Sequence, residues 1–235
     1  MTTLLITYKV ATPDSRERVF NLELDGVTAE LTSAPHPNPP AWTELSFHQC
    51  EGCPLREATH CPAALHLANV IDGFADLVSY DQVRVTVDSE ERSVIATLSA
   101  QQALASLMGL IMASSGCPRT AVFRPMARFH LPFSSESETA YRVASMYLVA
   151  QQFKARAGES GDFKLENLES VYRGVHSVNR GMAQRLRAAS RQDAIVNAIV
   201  LLDVYSSLVP VAIHDILDEV KPAFQALLSS SDERK

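Results

Sequence analysis

Apolar residues recur at every second position in the first third of the chain and at helical spacing from Ser135 onward. That change of period dictates a sheet-forming region followed by a helical one. Leu4, Ile6 and Tyr8 alternate with polar neighbours, Pro13-Asp14-Ser15 is a turn, and Val19 to Leu24 returns as the second arm of a hairpin. Val27, Ala29 and Leu31 alternate again and predict a third short strand. Four prolines then fall within Ala34 to Pro40, a composition that cannot sit inside a sheet ladder and reads as an extended connection.

Pro62 opens a predicted helix over Ala63–Val78, with apolar positions at Leu65, Val70, Ile71 and Phe74. Val83, Val85 and Val87 face Val94, Ala96 and Leu98 across Asp88-Ser89-Glu90-Glu91 as a second hairpin. Ser99 with Gln102 forms a capping box that starts a helix through Ala113, and Ser114-Ser115-Gly116 ends it. A second capping box, Ser135 with Glu138, begins the helical half: Glu136–Ala157, Leu165–Ser190 and Gln192–Leu228, the last bent or divided near Pro210. The expected fold class is α+β. A region of β-hairpins with two helices (1–132) is followed by an all-helical bundle (133–229) and a disordered tail (230–235).

The apolar share of 46% and charged share of 20% are those of a chain able to bury a sizeable core. A net charge of −6 excludes a globally basic nucleic-acid binder but leaves room for a local basic face. The N-terminus lacks the basic-then-apolar pattern of a signal peptide, and the apolar run Ile195–Leu202 stops at Asp203. A cytoplasmic protein with no membrane span is the expectation.

In such a compartment the four cysteines do not read as bridges. Three cluster as Cys50-Glu-Gly-Cys53-Pro and His60-Cys61-Pro, and the fourth, Cys117-Pro118, follows the apolar helix that ends at Gly116. A Cys-x2-Cys turn lets two thiolates grip one centre, and four thiols complete a tetrahedral donor set. Pro54 and Pro62 each suit the first position of a helix, which would place Cys53 and Cys61 at helix N-termini, where thiolates are favoured. One compact cysteine group plus one remote cysteine, with Cys-Pro steps, fits a 4Fe-4S cluster better than structural zinc, which usually takes two knuckles. Zinc is the alternative, with His48 and His60 beside the group as further donors. For Cys117 alone, a buried apolar role is the competing reading.

Two basic features lie downstream. Arg119, Arg124, Arg128 and His130 follow Cys117 in a proline-interrupted stretch; near a thiolate-ligated centre they would offset negative charge or hold an anion. The plainer reading, a connecting segment with its arginines paired to surface acids, is favoured. On the 165–190 helix, Arg173, His176, Arg180, Gln184 and Arg187 lie opposite an apolar face of Val171, Val175, Val178, Met182 and Leu186, and Arg191 follows them if the helix continues. No acid occurs between Ser170 and Gln192, so the stripe suits phosphate contact, although a solvated face is the commoner outcome.

No Gly-rich phosphate loop, His-Glu-x2-His pair or G-x-S-x-G elbow is present in the sequence. Three functional expectations remain. The first is a cluster-bearing protein with a structural or redox- or oxygen-sensing role. The second is a zinc-stabilised module that binds nucleic acid or a partner through the arginine stripe. The third is an enzyme at an open three-cysteine metal site. The apolar C-terminal helices suit either a bundle core or a homo-oligomer interface.

Overall fold

The computed structural model describes residues 2–14, 16–74, 76–189 and 193–229. A four-stranded antiparallel sheet in the order β2-β1-β3-β4 is built from β1 (Thr3–Ala11), β2 (Glu17–Asp25), β3 (Gln82–Asp88) and β4 (Ser93–Ser99). Strict alternation puts Leu4, Ile6, Tyr8 and Val10 of β1 and Val83, Val85 and Val87 of β3 on one buried face. On that face pack α1 (Pro62–Ile71) and α2 (Ala100–Ser114). The remaining helices are α3 (Arg124–Arg128), α4 (Glu136–Arg156), α5 (Leu168–Ala189), α6 (Asp193–Val220) and α7 (Gln225–Ser229). The α+β class, with an all-helical C-terminal half, is as expected.

Both predicted capping boxes start their helices. Gln102 accepts from the Ser99 amide at 3.1 Å ahead of α2, and Glu138 accepts from the Ser135 amide at 2.7 Å ahead of α4.

The predicted strand over 27–31 does not form. Asp25 Oδ1 accepts from the amides of Val27 and Thr28, and Ala29 takes a positive φ of 54°, so the chain turns instead and leaves a single bridge at Leu24–Leu31. The helix opened by Pro62 is shorter than expected, ending at Ile71 and tightening into a 3₁₀ turn at Asp72–Phe74. Pro210 does not divide α6; the α-helix runs on to Val220, and Pro222 marks the tighter turn Lys221–Phe224 that follows. The ends of the predicted 165–190 and 192–228 helices fall partly on residues outside the described set, as do Arg191 and the expected tail.

Two apolar clusters result. The larger takes the inner sheet face, α1, α2 and the adjoining parts of α5 and α6; the smaller takes Val143 and Tyr147 of α4, Leu168 and Tyr172 of α5, and Val209 and Ile213 of α6. Tyr8 ties the sheet to α2 and to the segment after α3: its hydroxyl lies 2.9 Å from Ser106 Oγ and 2.6 Å from His130 Nε2. The stretch from Asp193 to Ser229 is long and apolar enough to cross a membrane by length and composition, with 33% of its most apolar window buried against the rest of the chain.

Candidate metal centre

The segment around the first three cysteines is an excursion closed at its base. Leu45 donates its amide to Thr59 O at 2.9 Å, Cys61 donates to Thr43 O at 2.8 Å, and Glu44 bridges His60. Within it, the Cys53 amide donates to Cys50 O at 3.0 Å, closing the Cys-x2-Cys turn, and Gly52 adopts the positive φ of 62° that this turn requires.

Cys61 is the N-cap of α1 with Pro62 in the first turn, as the sequence predicts. Burial raises its thiol pKa, while the amides of Ala64 and Ala63 and the Arg185 charge pull it back. The matching expectation for Cys53 fails: no helix begins at Pro54, and residues 54–59 form bends. Cys117 is buried beyond the end of α2, its amide donating to Ser115 Oγ at 3.3 Å, and its carbonyl accepts from Ala121 to start the turn into α3.

The Cys50 thiol is pushed up to about 11, chiefly by burial and then by Cys61, Cys117 and Cys53. All three other thiols are therefore within its electrostatic reach. Among the described residues, however, no group of three or more His, Cys, Asp or Glu side chains stands ready-made to hold a metal ion.

The sequence predicts a helix over 165–190 but not that this helix, α5, floors the region. Along α5, Gly174, Ser177, Gly181 and Arg185 are spaced three and four apart on one face, and they receive the cysteine segment. A Cβ on Gly181 would lie 2.8 Å from Cys50 Sγ and 3.3 Å from His48 O, so only glycine lets the turn seat on the helix. Ser177 Oγ donates to Glu51 O at 3.0 Å. From beyond Cys117, Arg119 reaches the same turn, with Nη1 on Glu51 O at 2.6 Å and on Ser177 Oγ at 2.9 Å, and Nη2 on Gly52 O at 2.6 Å.

Arg185 is 1% exposed, and among the described residues no carboxylate pairs with it. Its Nη1 donates to Trp42 O at 2.7 Å and Glu44 O at 2.6 Å, its Nη2 to Leu45 O at 2.9 Å, and its Nε has no partner. Desolvation lowers its pKa, and Cys61, Cys50 and Cys53 act in the opposite direction. A guanidinium on the apolar side of an amphipathic helix, seven residues after Val178 and three after Met182, was the available signal in the sequence.

The other candidates are placed elsewhere or hold the scaffold. His60 Nδ1 lies 2.9 Å from Thr43 Oγ1, and His48 is exposed with a positive φ of 46°. Arg124 pairs with Glu30, Arg128 Nε donates to Gly26 O at 3.1 Å, and His130 sits on Tyr8, its pKa driven down to about 3 by burial and then by Arg142. Of the stripe on α5, Arg173, Arg180 and Arg187 are exposed and, among the described residues, make no ion pair, whereas His176 pairs with Asp203 of α6 at 2.7 Å.

Fold and site together define an α+β protein in which the thiols of Cys61, Cys50 and Cys53 act on a buried arginine that, among the described residues, pairs with no carboxylate. Residues 6–225 match the model of the family described as Domain of unknown function (DUF6901), and the chain belongs to that family. No curated protein and no solved structure matches the chain.

Arg185→Met removes the donors to three backbone carbonyls and is expected to lower stability by about 3 kcal/mol, with Arg185→Lys recovering only part because an ammonium lacks the fork. Urea unfolding of the variants measures this. The Cys50 thiol also sets a pH dependence. With its pKa raised from 9.0 to about 11, its contribution is present in full below pH 9.0 and is lost as pH rises through about 11. Reduced, chelator-treated protein is therefore expected to lose stability across that alkaline window, and Cys50→Ser to flatten the loss; the same urea titrations at stepped pH read it.

Proposed function

We propose that the chain is a metal-centre protein in which Cys50, Cys53, Cys61 and Cys117 hold a 4Fe-4S cluster, with Arg185 as its charge partner. The observation that carries this reading is the buried guanidinium facing thiols with no acid beside it. A buried cation needs a compensating anion, and ionised thiolates around a cluster supply a net negative group at that place. Arg119 supports the same reading, since it fixes the carbonyls of the Cys-x2-Cys turn from a point two residues beyond Cys117.

The donor spacing favours a cluster over a single ion. Tetrahedral zinc with Zn–S near 2.3 Å asks its thiolates to approach within about 3.8 Å of one another. A cuboidal cluster holds its thiolates further apart, and one compact cysteine group with one remote cysteine is a sequence spacing such clusters take.

The role that follows is structural first. The cluster would join the 44–60 excursion, the start of α1 and the exit of α2 over α5, so that binding free energy becomes folding free energy. Cys50 and Cys53 are only half-buried, which leaves the centre open to oxidants and suits a redox- or oxygen-sensing role. One observation favours a second reading: the exposed, unpaired Arg173, Arg180 and Arg187 fit a zinc-stabilised module that contacts phosphates or an acidic partner. An enzyme at an open three-cysteine site has less support, because Cys117 shares the surroundings of Cys50 and Cys61.

Anaerobic purification with metal and sulfide analysis decides between them. The expected result is coloured protein with about four iron and four acid-labile sulfide per chain, both lost in Cys50→Ser. Stoichiometric zinc without sulfide would move the reading to the second proposal. Colourless, metal-free protein with four titratable thiols would remove the metal centre.

A further inference from the structure

The two apolar clusters do not meet everywhere. Between them lies an open cleft of ≈ 460 Å³, walled by α2, the 120–134 segment, α4, α5 and α6. Ala105 and Met112 of α2, Val143 of α4, Val209 of α6, and Phe123 and Phe133 are among the residues that line it. This volume and a mostly apolar lining are those of sites that enclose a small organic molecule, and such sites favour the junction of two structural halves.

The charge of the lining narrows the ligand. No Asp, Glu or Lys lines the cleft, and its one formal charge is Arg142. Among the described residues, Arg142 makes no ion pair. Its Nη1 donates to Leu131 O and Ser134 Oγ, and its Nη2 to Met126 O and Phe129 O. These are neutral acceptors; Glu138, one turn earlier on α4, acts on the guanidinium through space but is bound to the Ser135 cap, so no carboxylate contacts Arg142 among the described residues. His130, kept neutral by burial, is a second polar group on the wall and brings no competing charge.

We propose that this cleft binds a monoanionic amphiphile, an apolar chain or ring system bearing a single carboxylate, with the apolar body between the two clusters and the carboxylate at Arg142. An apolar body without charge would leave the arginine uncompensated, and a cation would be repelled by it. The site is separate from the cysteine centre and does not rest on the identity of the metal.

The test is calorimetric titration of the full anaerobically purified chain with dodecanoate and with dodecanol, below the concentrations at which either aggregates. Dodecanoate is expected to bind saturably, one per chain, about tenfold more tightly than dodecanol, the effect of one charge-assisted contact. Arg142→Gln should erase that preference, bringing the two probes to equal affinity, while Arg142→Lys should retain part of it. Gly109 lines the cleft, and a Cβ there meets only Leu202 Cδ2 at 3.5 Å, so Gly109→Leu should extend into the cleft and weaken both ligands at least about tenfold. Circular dichroism and unchanged metal content establish that each variant is folded. Absence of dodecanoate binding by the unaltered chain, equal affinity for the two probes, or a preference that survives Arg142→Gln would overturn the proposal. Self-association abolished by Gly109→Leu, without dodecanoate binding, would likewise overturn it and assign the cleft to a second copy of the chain.

Discussion

A buried guanidinium, that of Arg185, with no carboxylate paired to it among the described residues, is the constraint around which the site is arranged. Moving such a charge out of water is costly unless its donors are satisfied and its charge is answered. The carbonyls of Trp42, Glu44 and Leu45 meet the first need at Nη1 and Nη2, though not at Nε, and thereby fix the base of the cysteine excursion on α5. The thiols of Cys61, Cys50 and Cys53 are the nearby groups able to meet the second, and they do so only when ionised. Burial opposes ionisation at Cys50 and Cys61, so the free chain holds a partly answered charge that a thiolate-bound centre would complete.

Local backbone chemistry then explains how distant parts of the chain meet there. Cys61 arrives at the start of a helix whose first amides point toward its sulfur. Cys50 and Cys53 arrive on a tight turn seated against Gly181, and that turn is gripped by Arg119 from the far side of Cys117. α6 packs against both α2 and α5, and the two apolar clusters on either side of this arrangement stay incompletely joined. The cleft is the consequence, and Arg142 stands on its wall as a second arginine answered only by carbonyls and a hydroxyl.

The elements governed by short-range rules were legible in the sequence. Alternation along β1 and β3, the Ser99–Gln102 and Ser135–Glu138 boxes, and proline at the first position of α1 each act within a few residues. Where two local rules compete, reading fails: alternation over 27–31 lost to the Asp25 side chain capping a turn, and Pro54 follows a Cys-x2-Cys turn instead of opening a helix. Of the bend or division expected near Pro210, division does not occur: the helix continues through it to Val220. What the sequence could not display is what long-range contact creates. The partners of Arg119 and Arg185 lie 58 and more positions away, and the need for glycine at 181 appears only once Cys50 is packed against it. The cleft is likewise assembled from elements that share no local pattern.

Four thiols and one buried arginine are proposed to form a single metal centre. X-ray absorption at the metal edge of anaerobically purified protein tests it most directly, because it reads the donor atoms and any neighbouring metal together. The account predicts an iron site with sulfur donors alone in its nearest shell and iron scatterers just beyond. Nitrogen or oxygen donors to a lone ion, or no metal bound in proportion to the chain, would contradict it.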